Sequence, residues 1–360
     1  KTKVKLMANI PFKAVIEKLY NHRVLLVGGG GFIGHNLALE LRRNNITTMV
    51  VDNLMVNSLV DNTFHDNGDV LKRNLNLHFL MTRFELMREL GVEFRNCDAR
   101  NFSDLASVFK DFGPTKIVHL AAIASAVEAR KNPGMCFDLQ LTTLRNVLEL
   151  CRLGHADVST LMFLSSSTVY GDFIDDWVDE TTRPRPRGIY ANTKYMGERL
   201  VRTYCHTNGL GTCIIRPSAL YGERCVSRRV SQAFIENALT GKPLRLEGGG
   251  DGLLDFTYID DLVSGMIRAL ALHGGHGVSD TFNLTYGNAR SIAELASIVK
   301  EILPNARLEN SPKAADKPVR GTLRMDKARQ SLGFYPKWSI EEGYKKYCEW
   351  YVREWEKVVR

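Results

Sequence analysis

The sequence predicts an α/β fold: a doubly wound parallel sheet with a smaller α/β domain interleaved toward the C-terminus. The first observation is an apolar strand at 24–27 that runs through a glycine-rich turn into an apolar helical segment around 37–41. The second is that short apolar strands alternate with periodic helical segments as far as about residue 217, a pattern typical of parallel strands joined by helices. Ligands of such sheets bind beyond the carboxyl ends of the strands.

The glycine turn contains Gly28, Gly31 and Gly34 at intervals of three, with Phe32 and Ile33 between the last two. Glycine permits the sharp passage from strand to helix. At Gly31 a pyrophosphate can approach the helix N-terminus because no Cβ intervenes, and Gly34 allows the helix to pack closely against the strand. The turn therefore predicts a dinucleotide site; the alternative is a glycine-rich turn without a ligand.

A second strand, at 49–51, ends in Asp52 and Asn53. A carboxylate at this position accepts hydrogen bonds from the adenosine ribose and repels a 2′-phosphate, which favours NAD over NADP. The alternative is a solvated loop aspartate.

The remaining elements follow in order. We predict a strand starting at 92, a helix at 102–112, a strand at 116–122, a helix at 137–150, a strand at 160–164, a helix from 189 to about 205, a strand at 212–217, a helix at 230–239, a strand at 256–258, and helices at 260–272 and from 340. The segment 54–91 is long for a connection, and we expect a loop followed by one or two inserted amphipathic helices, whose apolar face meets the core or another subunit rather than a membrane.

A candidate catalytic set consists of Ser166, Tyr190 and Lys194. Tyr190 and Lys194 are four residues apart, hence on one helical face, and Ser166 ends an adjacent strand. A tyrosine of ordinary pKa is a poor base at neutral pH, but a nearby ammonium and the positive nicotinamide of NAD⁺ favour the phenolate. The set predicts removal of a proton from an alcohol as hydride leaves its carbon. Since Y-x-x-x-K is common, a surface pair is the alternative.

Composition excludes several classes. The net charge is +8 over 360 residues, but the charges are interspersed without a run of five of one sign, so we expect a diphosphate pocket and no nucleic-acid partner. Seven scattered cysteines without a C-x-x-C pair predict a reducing, cytoplasmic setting and no metal site. No apolar run reaches 18 residues, so no membrane span is expected. We expect residues 1–21 to form an extension that packs outside the core, with a neighbouring subunit as a candidate surface.

Further motifs extend the pattern over about residues 22–350. They are His119-Leu120-Ala121-Ala122, Asn132-Pro133, Ser165-Ser166-Ser167-Thr168-Val169-Tyr170-Gly171, Arg216-Pro217, Leu220-Tyr221-Gly222, Asp255-Phe256-Thr257-Tyr258-Ile259-Asp260-Asp261 and Leu332-Gly333-Phe334-Tyr335-Pro336. With the glycine turn and Tyr190-Ala191-Asn192-Thr193-Lys194, they resemble extended short-chain dehydrogenases/reductases, in the family of NAD-dependent nucleotide-sugar epimerases and dehydratases, the UDP-glucose and UDP-glucuronate 4-epimerases included.

The resemblance implies a Rossmann domain at 22–187, to which 188–216 and 255–272 return, and a nucleotide-sugar domain mainly at 217–360. It implies a homodimer, Tyr190 as base, Lys194 on the nicotinamide ribose and Ser166 on the sugar hydroxyl. The implied cofactor contacts are Gly28, Gly31, Phe32, Ile33, Gly34, Asp52, Asn53, Asp98, Ala99, Leu120, Ala121, Ala122, Ala124, Tyr190, Lys194 and Pro217.

Departures from the family narrow the reaction. The 4,6-dehydratases carry Thr-Asp-Glu at the place of Ser166-Ser167-Thr168, the decarboxylases keep a glutamate at the place of Thr168, and fucose-synthase-like enzymes put a cysteine there. Without these groups, 4-epimerisation of a UDP-hexose or UDP-hexuronic acid through a 4-keto sugar is the expected reaction. A dehydrogenase, reductase or dehydratase of the same family and a non-catalytic NAD sensor are the alternatives.

The sugar nucleotide needs contacts of its own. Ser166, Ser167 and Thr168 are the expected sugar contacts. Where many relatives have an arginine for the diphosphate, this chain has Leu254. The remaining candidates for binding the diphosphate are Arg224, Arg228, Arg229, Arg245, Lys317 and Arg320. For each of them the alternative is a solvated charge on the surface.

Overall fold

The structure is a computed structural model that describes residues 10–56, 59–64, 69–123, 126–275, 277–313 and 318–359. Its strands are β1 (Arg23–Val27), β2 (Thr47–Asp52), β3 (Glu93–Asn96), β4 (Lys116–His119), β5 (Thr160–Leu164), β6 (Trp177–Val178), β7 (Gly211–Arg216), β8 (Leu220–Tyr221), β9 (Leu244–Glu247), β10 (Leu253–Leu254), β11 (Thr257–Tyr258), β12 (Ser279–Asn283), β13 (Arg290–Ser291), β14 (Leu308–Ser311) and β15 (Thr322–Leu323).

Its helices are α1 (Phe12–Glu17), α2 (Phe32–Arg43), α3 (Leu59–Phe64), α4 (Val70–Glu89), α5 (Phe102–Phe112), α6 (Ala126–Lys131), α7 (Pro133–Phe137), α8 (Thr143–Arg152), α9 (Gly188–Asn208), α10 (Val230–Leu239), α11 (Ile259–Leu272), α12 (Ile292–Ile302), α13 (Asp326–Leu332) and α14 (Ile340–Val359). A π-helical turn, Asp138–Thr142, joins α7 to α8, so the helix predicted at 137–150 is continuous but not regular. The predicted bounds of α5, β5 and α10 are those observed.

The central sheet has seven strands in the described residues, in the order β12-β7-β5-β4-β1-β2-β3, and every neighbouring pair is parallel. All five residues of β5 are buried, as expected for a strand covered by helices on both faces. The strand order reverses between β1 and β4, and in a doubly wound sheet the ligand crevice lies at that point. The predicted fold class is therefore confirmed.

The N-terminal residues belong to the core, which corrects the expected external extension. Val15, Ile16 and Leu19 are at most 2% exposed and pack in the hydrophobic cluster on the α2 and α11 side of the sheet. Arg268 of α11 donates to the carbonyl of Ile10 at 3.2 Å. The apolar face of α1 is buried against its own chain, and the removal of these side chains from water stabilises the packing of α1 on the core. Residues 1–9 lie outside the described residues.

A separate cluster of buried side chains joins α10, α12, α14 and β9. The predicted inserted helices are present as α3 and α4, and α4 contributes Leu75 and Phe79 to this cluster. The phenyl ring of Phe79 lies 5.1 Å from the ring of Trp350 and 5.4 Å from that of Tyr351, measured between centroids. The insertion, which precedes β3 in the chain, thus packs against the C-terminal helix α14.

The chain crosses between the two parts more often than expected. Strand β12 pairs in parallel with β7 and forms the edge of the central sheet, although the sequence division assigned 279–283 to the nucleotide-sugar part. Phe282 and Asn283 are fully buried there. Five residues of mixed polarity carry no clear strand periodicity, and only the pairing with β7 reveals the strand.

Three further observations concern the described part of the chain. No helix in it combines the length and the apolar character that a membrane span requires. It contains no group of three or more His, Cys, Asp or Glu side chains placed to hold a metal ion. All seven cysteines are unpaired thiols, and six of them are buried.

Candidate active site

The glycine turn joins β1 to α2 and explains two of its three glycines by contact. Gly28 has φ +80°, and a Cβ there would lie 2.5 Å from the amide nitrogen of Ala121. A Cβ at Gly34 would lie 2.5 Å from the Cα of Gly29, so the helix packs against the turn itself. At Gly31, the residue before α2, a Cβ would come no closer than 3.5 Å to any atom, and the nearest is the carbonyl oxygen of Gly28. The protein itself would therefore tolerate a Cβ at Gly31, which lines the cavity.

Asp52, at the end of β2, is tied to the glycine turn. One carboxylate oxygen accepts from the Gly30 amide at 2.9 Å and the other from the Leu54 amide at 2.7 Å. Burial raises the pKa of this carboxyl, while the two amides and the nearby Arg83 act against that rise. Each oxygen keeps a lone pair, so the carboxylate can still accept from a ribose hydroxyl.

Asp98 and Asn53 form a second polar pair at the same end. The Asn53 amide donates to Asp98 at 3.0 Å, and the guanidinium of Arg100 donates to both oxygens of the Asp98 carboxylate. The hydrogen bond from Arg100 holds the pKa of Asp98 below its usual value. A fixed carboxylate beside β3 is thus available to an adenine amino group, although Arg100 already occupies much of it.

One large cavity of about 700 Å³ opens over these groups at the carboxyl ends of the strands. It is lined by twenty of the residues that the sequence singled out: Gly28, Gly31, Phe32, Ile33, Gly34, Asp52, Asn53, Asp98, Ala99, Leu120, Ala121, Ala122, Ser166, Ser167, Thr168, Tyr190, Lys194, Pro217, Arg229 and Arg320. Arg228 lines it too. Ala124 and Lys317 lie outside the described residues.

Ser166 and Tyr190 meet in the middle of the cavity. The Ser166 hydroxyl oxygen accepts from the Thr168 amide at 3.2 Å and from the Thr168 hydroxyl at 3.0 Å. The hydroxyl proton of Ser166 is then free to point to another acceptor. Ser166 hydrogen-bonds to the Tyr190 side chain, and this bond favours the phenolate. The serine turn after β5 therefore delivers a polarised donor to the tyrosine oxygen.

Lys194 is 3% exposed and lines the same cavity. Its ammonium donates to the carbonyl of Leu164 at 2.8 Å and lies 5.4 Å from the centre of the Phe163 ring. Burial lowers the pKa of Lys194 to about 8. Two of its three donors remain for a ligand after the contact with Leu164.

The electrostatics around Tyr190 differ from the sequence expectation. Burial raises the pKa of Tyr190, and the main opposing charge is the guanidinium of Arg229, not the ammonium of Lys194. Arg229 immediately precedes α10 and lines the cavity. Tyr190 and Lys194 do share one helical face. The cation that lowers the pKa of the Tyr190 phenol, however, comes from the C-terminal part of the chain.

The acids near the cavity lie at one end of it. Among its described lining residues, the carboxylates are Asp52, which ends β2, and Asp98, which follows β3. The lining cysteine, Cys97, lies beside Asp98. The opposite end, near Thr168 and Arg320, has no lining carboxylate or thiol among the described residues.

Arg320 reaches the cavity from the C-terminal part. Its guanidinium donates to the carbonyls of Ser167 at 3.3 Å and Gly171 at 2.9 Å, and it lies 5.7 Å from the centre of the Phe173 ring. Burial lowers its pKa to about 10, so it remains charged at neutral pH. It supports the serine turn and offers its other donors to an anion.

Arg224 and Arg245 do not line the cavity, which corrects their assignment to the diphosphate. The Arg224 guanidinium donates to His35 at 3.1 Å and to Asn36 at 2.9 Å, both on α2. Arg245 lies on β9 between the buried Leu244 and Leu246, and strand alternation turns its side chain into solvent. The sequence does not reveal the partners of Arg224, because α2 lies far from it in the chain.

Sequence reasoning missed Arg83, a lining residue from the insertion. It is fully buried, and it donates to the carbonyls of Gly30 at 3.3 Å and Arg224 at 3.1 Å. Its burial could have been suspected because it lies four residues after Phe79, on the same helical face as the apolar residues. Without knowledge of the packing partner, however, an arginine at such a position is interpreted as a solvent-exposed residue at the edge of the apolar face.

The residues present fit NAD. The open approach over Gly31 at the start of α2 suits a pyrophosphate, because the helix N-terminus presents amides without a Cβ in front of them. Asp52 stands at the adenosine side, and Lys194 stands on the other side of the cavity. The cavity also extends past the tyrosine toward Arg229 and Arg320, which leaves room for a second, anionic ligand.

Comparison with known proteins identifies the family. Residues 24–285 match the NAD dependent epimerase/dehydratase family. UDP-glucuronate 4-epimerase 2 of Arabidopsis thaliana is 29% identical over 346 residues, which cover 91% of this chain and 75% of that protein. UDP-glucuronate 4-epimerase of Thermodesulfobacterium geofontis is 29% identical over 330 residues, which cover 91% of this chain and 95% of that protein.

Solved structures agree with the fold. The crystal structure of the UDP-glucose 4-epimerase of Thermus thermophilus in complex with NAD aligns with a TM-score of 0.74 at 26% identity, covering 91% of this chain and 98% of that one. With a match that spans most of the chain and a cavity shaped for the dinucleotide, this protein belongs to the NAD dependent epimerase/dehydratase family, and NAD is its cofactor.

Proposed function

We propose that this protein is a 4-epimerase of a nucleotide-activated sugar, with a UDP-hexose or UDP-hexuronic acid as substrate. One observation carries the proposal: Ser166, Tyr190 and Lys194 share a cavity whose sugar-binding end has no lining carboxylate or thiol among the described residues. Elimination of water or epimerisation next to a carbonyl needs such a group to move a proton at carbon. Redox chemistry at one alcohol carbon does not. The names of the relatives support the same reaction.

The roles of the residues follow from their contacts. The Tyr190 oxygen takes the proton of the sugar 4-hydroxyl and later returns it to the 4-keto oxygen. Ser166 donates to that same oxygen, and Thr168 holds Ser166 in place through two hydrogen bonds. NAD held in this cavity would supply the redox chemistry, by taking hydride from the sugar carbon and returning it to the opposite face of the 4-keto sugar.

The cationic side chains of the cavity contact different groups of the two ligands. Lys194 keeps two donors for the ribose next to the nicotinamide. Arg229 and Arg320 line the other end of the cavity, where they balance the charge of a diphosphate or of a sugar carboxylate. Arg228 also lines the cavity, but its guanidinium is ion-paired with Glu236 at 2.7 Å. Arg229 also lowers the cost of forming the Tyr190 phenolate.

The test is incubation of the purified protein with UDP-glucose, UDP-galactose, UDP-glucuronate and UDP-galacturonate, without added NADH. We expect one pair of 4-epimers to interconvert, as read by chromatography and mass spectrometry. Conversion only after NADH is supplied would instead identify a reductase, and loss of 18 or 44 mass units would identify a dehydratase or a decarboxylase. Any of these results would overturn the epimerase proposal.

We also propose that the protein acts in the cytoplasm as a homodimer. Ile189, Met196 and Leu200 are 36–45% exposed and share one face of α9, since they stand at i, i+7 and i+11. A second copy is the occupant that a self-complementary apolar stripe favours. Light scattering tests the state: Met196→Glu should halve the mass of a dimeric wild type, and a monomeric wild type would refute the dimer. Seven unpaired thiols support the reducing compartment.

A further inference from the structure

The inserted helix α4 carries a buried cation to the cofactor end of the cavity. Arg83 is fully buried, and its guanidinium donates to the carbonyl of Gly30 in the glycine turn. Two of its nitrogens donate to the carbonyl of Arg224, in the loop that follows β8. Asp52 is close enough to stabilise the guanidinium charge. One side chain thus links the turn expected to hold the pyrophosphate, the acid expected at the ribose, and a loop of the C-terminal part.

The helix that bears Arg83 is anchored away from the cofactor. One turn earlier, Phe79 is fully buried against Trp350 and Tyr351 of α14. On the same helix, the His78 ring hydrogen-bonds to Glu354 at 2.6 Å. Because both contacts fix α4 to the C-terminal domain, Arg83 reaches the glycine turn from a firm base.

The loop that Arg83 holds is conformationally strained. Arg224 has φ +62° and Arg228 φ +45°, in the left-handed region that non-glycine residues seldom adopt. The Arg224 side chain in turn donates to His35 and Asn36 of α2. The loop leads directly to Arg229, which faces Tyr190 across the cavity. Strain of this kind persists only where surrounding contacts impose it.

We propose that the insertion serves to retain NAD, with Arg83 as a positioning residue that ties the glycine turn to the loop 222–229 across the cofactor. Release of NAD then requires these two walls to separate, and separation breaks the hydrogen bonds of a buried guanidinium. The same tie keeps Arg229 opposite Tyr190. The proposal depends on NAD binding in this cavity and not on the identity of the sugar or on 4-epimerisation.

The experiment measures exchange of bound NAD with isotopically labelled NAD in solution, on the purified full chain and without any sugar. Arg83→Met keeps much of the length of the side chain but removes its donors, and Arg83→Lys keeps the charge but cannot span both carbonyls. Arg88→Met is the matched control, because it makes the same substitution at an exposed position of the same helix, outside the cavity. We expect exchange to be about tenfold or more faster in Arg83→Met and intermediate in Arg83→Lys, with Arg88→Met at the wild-type rate.

Hydrogen exchange of the NAD-bound protein supplies a second readout. In Arg83→Met, protection should fall in peptides covering 28–34 and 222–229, while the sheet strands β4 and β5 keep theirs. Wild-type NAD exchange in Arg83→Met, or equal acceleration in Arg88→Met, would overturn the proposal. If Arg83→Met does not fold, Arg83→Lys decides: exchange at the wild-type rate refutes the role of Arg83. Retention of NAD without sugar turnover would refute only the proposed reaction.

Discussion

At the scale of single residues, burial acts against the role of Tyr190 as a base, and other groups must offset it. Burial raises the pKa of Tyr190, and the ammonium of Lys194 is directed to the carbonyl of Leu164. Ser166 and Arg229 act in the opposite direction. The positive nicotinamide of bound NAD would add to them and favour the phenolate further.

Replacement of Tyr190 by phenylalanine should lower turnover by about 10²–10⁴-fold, because the acid–base group is lost while the ring is retained. Bound NAD should remain, since the phenol is one contact among many. Steady-state kinetics and the ratio of NAD to protein check the two parts. Tyr204→Phe is the matched control on the same helix, because the Tyr204 hydroxyl bonds to Glu149 outside the cavity. A Tyr190→Phe enzyme of normal kcat would exclude the assigned role.

Thr168 offers a finer test of the serine turn. Thr168→Val removes the hydroxyl that donates to Ser166 at 3.0 Å but keeps the shape of the side chain. We expect kcat to fall about three- to tenfold, in line with the loss of one neutral hydrogen bond. Thr168→Ser, which keeps the hydroxyl, should stay near the wild-type value. A wild-type kcat in Thr168→Val, with a loss confined to Thr168→Ser, would show that the methyl group, not the hydrogen bond, matters.

At the scale of elements, the passage from β1 to α2 uses its glycines for different purposes. Gly28 and Gly34 are required by the protein itself, because a Cβ at either would meet backbone atoms at 2.5 Å. Gly31 meets nothing closer than 3.5 Å, so its lack of a side chain serves a ligand. The same motif therefore contains fold-determining and cofactor-determining positions.

This difference predicts opposite phenotypes for two alanine substitutions. Gly34→Ala should lower the free energy of unfolding by about 1–3 kcal/mol, because backbone cannot yield to the new methyl group. Gly31→Ala should leave that free energy unchanged or slightly higher but weaken NAD binding about tenfold or more. Urea unfolding and NAD titration measure the two quantities. Loss of stability in Gly31→Ala, with binding intact, would contradict the assignment.

At the scale of the whole molecule, the sheet has a functional end and a structural end. The carboxyl ends of the strands open into the cavity, whereas the amino end of β4 buries Lys116, which is 6% exposed and donates to the Thr160 hydroxyl at 3.0 Å. Burial lowers the pKa of Lys116 to about 8. An ammonium without a carboxylate in hydrogen-bond contact is costly at neutral pH.

Lys116 should therefore make stability depend on pH. Its folded pKa, about 8, lies below the ordinary value of 10.5, so the folded state releases this proton first as pH rises. The free energy of unfolding should rise between pH 8 and pH 10.5, by at most about 1.4 kcal/mol per pH unit from this group. Lys116→Met should remove that rise and add about 1–3 kcal/mol at pH 7.

Chemical unfolding at pH 7, 8, 9 and 10 for the wild type and Lys116→Met gives the comparison. Their difference should be largest at pH 7 and shrink above pH 8. Because Lys116 lies at the opposite end of the sheet from the cavity, NAD affinity should not change. A constant difference across the pH range would show that the lysine is not titrated in this way.

Local patterns were sufficient for the sheet and for the cofactor end of the site. The apolar runs of β1 and β5, the glycine turn, and the i, i+4 spacing of Tyr190 and Lys194 depend on neighbours in sequence, so each could be predicted without tertiary information. The meeting of Ser166 with Tyr190 was predicted from the place of Ser166 at the end of an adjacent strand, and the resemblance to the family added the role of each residue. Strand β12 and the docking of α1 could not be predicted, since each depends on a surface supplied by distant residues.

The sequence by itself determined the fold class, the family, NAD as the cofactor and the residues of the cavity floor, because these follow from motifs of contiguous residues. Only the tertiary structure decided which arginines face the cavity. Arg224 bonds to α2 and Arg245 lies in solvent, whereas Arg83, a residue of an insertion, is buried between the glycine turn and the C-terminal part. A guanidinium on a long, flexible stem takes its role from the acceptors that folding brings within reach, and those acceptors are far away in the chain.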